Sequence, residues 1–268
     1  MEIDKIKLFL FDMDGTIYLG KRLFDFTLPL LSEIKRQGKR YVFITNNASK
    51  NVRDYVSHLV SMGVEATSED FVTSAQVTTM YLKDNFADKL IYSAGTRSFK
   101  DGLREAGLNI TERYDENVEV VVNAYDTELT FEKLDSICRL LTEKKDIPYI
   151  ATNPDVVCPT EYGYVPDCGS VSDMIFNATG RRPKFIGKPY PEIIWHAMKM
   201  AGAESDETLV IGDRIYTDIA SGIKAGVKTA LVLSGETTME IAEKSDEKPT
   251  YILNDAGEIL RELRELGI

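Results

Sequence analysis

The chain has 268 residues, with 43 acidic and 32 basic side chains, so its formal net charge is −11. At roughly 100–200 residues per domain, this length allows one large domain or two modest ones, and a hydrophobic content of 43% is enough for a buried core. The excess of acid argues against proteins that bind nucleic acids or anionic membranes, because both need a basic face.

The cysteine and histidine content restricts the chemistry further. Three cysteines and two histidines, with no C-x-x-C or H-x-x-x-H spacing, argue against a zinc site. Cysteines without a pairing pattern indicate a reducing compartment. The charged start lacks the apolar run of a signal peptide, and no apolar stretch approaches the length of a membrane-spanning helix. We therefore expect a soluble, cytoplasmic protein.

The apolar pattern alternates between short buried runs and helical periods. Short continuous apolar runs are typical of buried parallel strands, and glycines follow several helical segments. The predicted strands are 8–11, 41–44, 71–73, 90–93, 118–123, 149–152, 185–186, 209–211, 229–233 and 251–253. The predicted helices are 28–37, 49–62, 98–106, 130–144, 171–179, 191–201, 218–225 and 258–266. This alternation predicts parallel sheets covered by helices.

The most informative segment follows the first predicted strand and contains Asp12, Asp14 and Gly15 in D-M-D-G-T. Open α/β sheets bind ligands at the carboxyl ends of their strands. Alternate residues of an extended segment point the same way, so the two carboxylates are candidates for one site. Taken alone, the same residues are equally typical of a turn in which Asp and Gly have only a structural role.

Polar residues also follow the second predicted strand. Thr45, Asn46 and Asn47 bring a hydroxyl, two amides and backbone N–H groups, which suit an anionic oxygen such as that of a phosphate. The alternative is helix capping, a role that Asn47 or Ser49 would fill. We take residues 45–47 as candidates for phosphate binding.

Two later segments complete the pattern. Lys188, in Gly-Lys-Pro, would supply a positive charge for phosphate, although a surface lysine in a turn has the same local sequence. Asp213 and Asp218 flank the start of a predicted helix, where the helix dipole alone also favours acidic residues. Each segment is ambiguous by itself, and their joint occurrence at strand ends indicates one site.

Together the four segments resemble the motifs of the haloacid dehalogenase-like phosphatase superfamily, in the same order. The match comprises D-x-D-G-T, a strand-ending threonine, a lone lysine in G-K-P and G-D-x-x-x-T-D. Residues 45–47, 151–155 and 187–189 resemble the branch that contains 4-nitrophenyl phosphatases, pyridoxal phosphate phosphatases and bacterial sugar and nucleotide phosphatases. The resemblance implies an α/β fold: a Rossmann-like parallel-sheet core with helices on both faces, and a smaller inserted α/β cap.

Spacing agrees with this branch. The stretch from Asp14 to Thr45 has room for a flap, a helix and a strand, whereas the stretch from Thr45 to Lys188 is far longer than the core needs. We therefore predict a discontinuous catalytic core at 1–80 and 185–268. The inserted segment 81–184 is similar to the type-2 (IIA) caps of this branch.

The predicted site has four acids and one lysine, so a phosphate dianion needs a divalent cation there. Oxygen ligands favour Mg²⁺. The resemblance implies Asp12, the backbone carbonyl of Asp14 and Asp213 as metal ligands, with Asp218 supporting them without binding the metal directly.

The resemblance also implies hydrolysis in two steps. Asp12 attacks phosphorus to form an aspartyl-phosphate, and Asp14 protonates the leaving alcohol and then deprotonates the attacking water. Residues 45–47 and Lys188 hold the phosphate oxygens. The expected substrate is a small phosphorylated metabolite, such as a sugar phosphate or a nucleotide monophosphate, and 4-nitrophenyl phosphate is expected as an artificial substrate.

Specificity is expected from the cap, because the core motifs contact only the phosphate. The sequence predicts a long irregular loop over 153–169, rich in proline, glycine and tyrosine. Cys158, Tyr162 and Tyr164 are its candidates for contact with the leaving group, although each is equally typical of a packed connection. By resemblance, a homodimer through the cap is a further expectation.

Two other functions remain open at this point. A phosphotransferase or mutase would pass the phosphoryl group from the same aspartyl-phosphate to another alcohol. A non-catalytic regulatory protein would bind a phosphorylated ligand without turnover. The presence of both Asp12 and Asp14 argues against this last alternative.

Overall fold

The computed structural model describes residues 2–160 and 162–266. The strands are β1 (Leu8–Phe11), β2 (Tyr18–Leu19), β3 (Arg22–Leu23), β4 (Arg40–Thr45), β5 (Phe71–Thr73), β6 (Ile91–Ala94), β7 (Ile110–Thr111), β8 (Val120–Asn123), β9 (Tyr149–Ala151), β10 (Val157–Thr160), β11 (Gly163–Pro166), β12 (Lys184–Phe185), β13 (Thr208–Gly212), β14 (Lys228–Val232) and β15 (Tyr251–Leu253). The helices are α1 (Thr27–Arg36), α2 (Val52–Ser61), α3 (Ser74–Phe86), α4 (Arg97–Glu105), α5 (Phe131–Glu143), α6 (Cys168–Thr179), α7 (Glu192–Ala201), α8 (Ala220–Ala225), α9 (Met239–Lys244) and α10 (Gly257–Leu266). Across these described residues, no helix combines the length and the apolar character needed to span a membrane.

The chain forms two compact units. The first comprises Met1–Thr45, Arg53–Val72 and Lys188–Ile268, and the second comprises Asn46–Val52 and Thr73–Gly187. The chain thus leaves the first unit and returns to it twice.

This division differs in detail from the predicted boundaries of core and cap. The predicted cap, 81–184, starts inside α3, whereas α3 packs as a whole with α4 in the second unit. The short segment 46–52 also belongs to the second unit. A boundary depends on such packing, which spacing between motifs does not reveal. The assignment of the second unit as a cap stays a prediction.

The first unit is built on a six-stranded sheet in the order β15-β14-β13-β1-β4-β5. β1 has an inner position, all four of its residues are buried, and it pairs in parallel with β13 and β4. In this register Phe11 lies opposite both Ile211 and Phe43, so the carboxyl ends of three strands meet at one edge of the sheet. Helix α1 packs against α10, and α7 packs against α8 and β1.

The second unit has its own five-stranded sheet, in the order β12-β9-β8-β6-β7, and its strand pairs are parallel. Helix α5 packs against α6, and their apolar faces bury Ile137 and Ile175 with Val121 and Tyr149 from the sheet. The predicted α/β fold class, with a Rossmann-like parallel-sheet core flanked by helices, is confirmed.

The prediction of an irregular loop over 153–169 is wrong for residues 157–160 and 163–166, which form strands. β10 and β11 form a two-stranded antiparallel sheet, in which Cys158 lies opposite Val165 and Pro159 lies opposite Tyr164. Proline has no N–H for a strand ladder and normally argues against a strand. It is tolerated here because a sheet of two strands leaves one edge of each strand unpaired.

Helix α3 is absent from the sequence-based prediction. Its start is a reciprocal cap: Oγ1 of Thr73 accepts from the N–H of Gln76 at 3.2 Å, and Oε1 of Gln76 accepts from the N–H of Thr73 at 2.8 Å. Two of its four buried residues, Ser74 and Thr78, are polar. The buried face therefore gives little apolar periodicity, which is the signal that the prediction used.

Candidate active site

Asp12 follows β1 at the edge where three strands of the first unit end. Its backbone N–H donates to the carbonyl of Ile211 on β13 at 2.8 Å, which extends the strand pairing by one residue. Because Asp213 directly follows β13, the two acidic residues come after neighbouring strands. The parallel register therefore brings together residues that are distant in the sequence.

Lys188 is a buried ammonium group between two carboxylates of the first unit. Its Nζ donates to Oδ1 of Asp12 and to Oδ1 of Asp218, both at 2.6 Å, and the residue is 3% exposed. Burial lowers the pKa of Lys188, but the charges of Asp12 and Asp218 outweigh burial and raise it above its usual value. The lysine therefore stays protonated and joins two acidic segments through charge-assisted hydrogen bonds.

Asp213 adds a third carboxylate to this group. One oxygen from each of Asp12, Asp213 and Asp218 lies within 4.8 Å of the other two. Burial, followed by the charges of Asp12 and Asp218, raises the pKa of Asp213 to about 8. Burial also raises the pKa of Asp218, although Lys188 opposes this change. The cluster therefore resists full ionisation without a further positive charge.

A divalent cation with oxygen ligands fits these residues. Oδ2 of Asp213 accepts from the backbone N–H of Glu236 at 2.7 Å, whereas Oδ1 is buried and has no hydrogen-bond partner within the described part of the chain. A buried polar atom without a partner is costly. A hard cation would satisfy it and would balance the carboxylates at the same time.

Asp14 differs from the other acids because its side chain is exposed. Its Oδ1 accepts from the N–H of Gly20 at 3.3 Å, beside the turn that Gly15 makes with a φ of 80°. Tyr18, the first residue of β2, is 8% exposed and was not identified from the sequence. Burial, then the charges of Asp14 and Asp12, raise the pKa of Tyr18 above its usual value. The carboxylate of Asp14 is thus accessible from solvent.

The predicted phosphate-binding residues 45–47 fall in both units. Thr45 ends β4 in the first unit and is 7% exposed. Asn46, in the second unit, donates from Nδ2 to Oδ2 of Asp155 at 3.0 Å. Oδ1 of Asn47 accepts from the N–H and the hydroxyl of Ser49, at 3.0 and 2.7 Å. The side chain of Asn47 therefore makes a local contact with Ser49, ahead of α2, which begins at Val52. This contact is not the helix capping that was its alternative role.

A polar network in the second unit surrounds Asn46, and the sequence analysis did not identify it. The hydroxyl of Ser74 donates to the carbonyl of Asn46 at 2.6 Å. Nδ2 of Asn153 donates to Oδ1 of Asp167 at 2.9 Å and to Oδ2 of Asp155 at 3.3 Å. Asp155 therefore accepts from both asparagines. The N-P-D sequence at 153–155 was the available signal, but it served only to mark the family branch.

The three predicted specificity residues lie on the β10–β11 hairpin of the second unit. Tyr162 is 81% exposed and Tyr164 is 64% exposed. Cys158 is half-buried and packs with Tyr125 and Val165 in a small apolar cluster. The two tyrosines are therefore available to a ligand, and the cysteine packs the hairpin against the rest of the second unit. Their role in specificity stays a prediction.

Comparisons with known proteins identify the family to which the chain belongs. A family model described as haloacid dehalogenase-like hydrolase matches residues 9–109, and a second, described as HAD-hydrolase-like, matches residues 185–259. The acid sugar phosphatase of Staphylococcus haemolyticus is 35% identical over 257 residues, which cover 96% of each chain.

Solved structures that are similar to this chain also include phosphatases. The 4-nitrophenylphosphatase of Thermotoga maritima superposes with a TM-score of 0.91 at 39% identity and covers 97% of this chain and 98% of its own. A glycerol phosphate phosphatase of Mycobacterium tuberculosis, solved in complex with magnesium, has a TM-score of 0.89 at 29% identity over 97% of this chain and 78% of its own. The same phosphatase was also solved with calcium. The resemblance drawn from the four motifs is confirmed, and the chain belongs to the haloacid dehalogenase-like hydrolases.

Proposed function

We propose that this chain, a phosphatase of the haloacid dehalogenase-like family, hydrolyses small phosphomonoesters with Mg²⁺ through an aspartyl-phosphate on Asp12. One observation carries the proposal. Lys188 bridges Asp12 and Asp218, while Oδ1 of Asp213 beside them has no partner among the described residues. Such a set combines a nucleophile, a fixed positive charge and metal ligands.

The residues divide into metal ligands and their supports. Both oxygens of Asp218 already accept hydrogen bonds, from Lys188 at 2.6 Å and from the N–H of Arg214 at 3.1 Å. This supports a role for Asp218 in holding the site, with Asp12, Asp213 and the carbonyl of Asp14 as ligands. When bound, Mg²⁺ would neutralise charge on the phosphate and in the transition state.

The side chains of the first unit supply the covalent chemistry. A carboxylate oxygen of Asp12 forms a bond to phosphorus as the bond to the leaving oxygen breaks, and protonated Asp14 gives that oxygen a proton. Water then attacks phosphorus, Asp14 takes its proton, and the bond to Asp12 breaks to release inorganic phosphate. Lys188 keeps Asp12 oriented throughout.

Thr45, Asn46, Asn47 and Lys188 are the proposed phosphate-binding residues. The buried position of Thr45 at the end of β4 and the proton that Lys188 retains support this role. The contact of Asn47 with Ser49 supports a positional part for its side chain, with phosphate approached by the backbone of the segment.

The relatives support a small substrate. Proteins similar to this chain are named acid sugar phosphatase, 4-nitrophenylphosphatase and glycerol phosphate phosphatase. We therefore propose a sugar or polyol phosphate, or a nucleotide monophosphate, as the physiological class. The proposed specificity residues are Cys158, Tyr162 and Tyr164 on the hairpin. The exposure of the two tyrosines supports their contact with the leaving group.

Two further expectations belong to this proposal. A homodimer through the second unit is supported by exposed apolar side chains at the start of the hairpin, Val156 and Val157. Light scattering during gel filtration measures the mass and tests the dimer. A cytoplasmic location is supported only by the cysteine content, and fractionation of cells tests it.

The test of the activity is phosphate release from a panel of phosphomonoesters, with Mg²⁺ and with a chelator, for the wild type and Asp12→Asn. Asp25→Asn is the matched control, because that side chain is 98% exposed. We expect release from the wild type and the control only with the metal. Equal release by Asp12→Asn would contradict the nucleophile. Transfer to an added alcohol in place of water would identify a phosphotransferase.

A further inference from the structure

One segment of the first unit encloses Asp213. This segment, residues 234–237 (S-G-E-T), follows β14 and has no counterpart among the four motifs. The N–H of Glu236 donates to Oδ2 of Asp213 at 2.7 Å, and the N–H of Thr237 donates to the backbone carbonyl of Asp213 at 3.2 Å. The same segment therefore holds both the side chain and the main chain of this acid.

Two glycines lie directly against Oδ2 of Asp213, where an added side chain would collide with it. A Cβ on Gly235 would lie 2.0 Å from this oxygen, and a Cβ on Gly15 would lie 2.5 Å from it. Gly15 also needs its positive φ, whereas Gly235 is not in that region, so its requirement is purely one of space. Any side chain at 235 would displace the carboxylate.

The 234–237 segment is tied to both loops that carry the acids. The hydroxyl of Ser234 donates to the carbonyl of Gly15 at 2.7 Å, directly after Asp14. The N–H of Ile215 donates to Oγ1 of Thr237 at 3.2 Å, two residues after Asp213. A shift of this segment would therefore move the acids on both sides.

Glu236 also controls a positive charge near the cluster. Its Oε2 pairs with Nε of Arg214 at 2.9 Å, and its Oε1 accepts from the hydroxyl of Tyr216. The negative charges of Asp12 and Asp218 act on the same guanidinium. Without Glu236, Arg214 would be drawn toward these acids and would compete with a cation there.

We propose that the 234–237 segment selects the oxygen of Asp213 that binds the metal. It engages Oδ2 and leaves Oδ1, which has no partner among the described residues, for the cation. Gly235 and Glu236 are then positioning residues: neither is a ligand, but both set the geometry and charge that the cation meets. The inference rests on the proposed metal site.

The first test measures metal affinity directly on the intact chain, by calorimetry with Mg²⁺ and by electron paramagnetic resonance with Mn²⁺. Gly235→Ala should raise the Kd at least about tenfold, because outer contacts of metal ligands are worth about 10–100-fold in affinity. Gly102→Ala is the matched control, because a Cβ there meets nothing within 4 Å, and its Kd should equal that of the wild type. An unchanged Kd for folded Gly235→Ala overturns the inference.

The second test removes only the charge of Glu236. Glu236→Gln keeps the backbone N–H and should weaken Mg²⁺ binding about tenfold, with phosphate release restored by excess Mg²⁺. Glu240→Gln, on an exposed side chain of α9, is the control. This variant decides the question if Gly235→Ala fails to fold, and a wild-type Kd for it then overturns the inference.

A wild type that binds neither metal overturns the metal site itself, together with this inference. Binding by the wild type with unchanged variants overturns the positioning role alone.

Discussion

The acidic cluster of the first unit and the hairpin of the second unit differ in how they place polar side chains. In the first unit, the ionisable groups of Lys188, Asp213 and Asp218 are 3% exposed or less, and each has fixed partners in the chain. In the second, the hairpin presents Tyr162 and Tyr164 to solvent. A buried charge is tolerated only when it is paired and hydrogen-bonded, so few residue types are compatible with the positions around it. An exposed side chain has no such constraint, so a substitution there alters the surface without loss of the fold.

The largest effect is expected where the buried charges are separated. Lys188→Met would leave Asp12 and Asp218 without their shared cation, and the free energy of unfolding without metal should fall by about 3–5 kcal/mol. Urea unfolding measures this change. Lys244→Met, at a side chain that is 74% exposed, should change it by no more than about 0.5 kcal/mol. Combining Lys188→Met with Asp218→Asn should recover part of the stability, and no recovery would contradict the charge argument.

The second effect concerns pH. Because the folded pKa of Asp213 is raised to about 8, its contribution to the stability of the metal-free protein is fully present below about pH 4. That contribution is lost as the pH rises through about 8. Mg²⁺ binds the ionised carboxylate, so excess Mg²⁺ should remove this decline. Urea midpoints from about pH 5 to 9, with Mg²⁺ or with a chelator, test the prediction. A decline of equal size in Asp213→Asn would exclude Asp213 as its source.

A smaller effect is expected from the network around Asn46. Asp155→Ala removes the acceptor that Asn46 and Asn153 share. We expect inorganic phosphate to inhibit about 5-fold more weakly, which corresponds to the loss of about 1 kcal/mol for a hydrogen bond. Asp173→Ala, at an exposed ion pair of the same unit, is the control. Equal inhibition constants in both variants would contradict a role for Asp155 in phosphate binding.

The smallest effect on stability is expected on the hairpin. Tyr162→Ala and Tyr164→Ala should each change the free energy of unfolding by less than about 0.5 kcal/mol, because both side chains are exposed. The ratio of kcat/KM between a sugar phosphate and 4-nitrophenyl phosphate should nevertheless change. Phe131→Ala, at a side chain of the second unit that is 82% exposed, should leave this ratio unaltered. A ratio that is constant in all three variants would remove the tyrosines from specificity.

The parts of the molecule that could be predicted are those in which the residues of the site adjoin a recognisable strand in the sequence. β1 and Asp12 adjoin in the chain, and the apolar run of the strand predicts where the acid must lie. The family resemblance placed Lys188 and Asp218 in one site, but their direct contact was not predicted, because no local pattern links a Gly-Lys-Pro turn to a distant helix start.

The parts that escaped prediction depend on long-range contacts or on polar burial. α3 buries Ser74 and Thr78, so its pattern lacks an apolar stripe. The hairpin carries Pro159 and Pro166 within its strands. The closeness of Gly235 to Asp213 arises only when β13 and β14 pair in the sheet. In each case the structure of the segment depends on the residues that pack against it, which its own sequence does not reveal.

The missing side chains at three glycines have a consequence for how enzymes of this kind tolerate mutation. Gly15 and Gly235 face Asp213, and a Cβ on Gly212 would lie 2.3 Å from that of Asp218. None of the three carries a reactive group, yet each occupies a place where the smallest added carbon would collide with an acid of the cluster. A library that spares the charged residues and randomises their surroundings would therefore lose activity first at positions with no chemistry of their own.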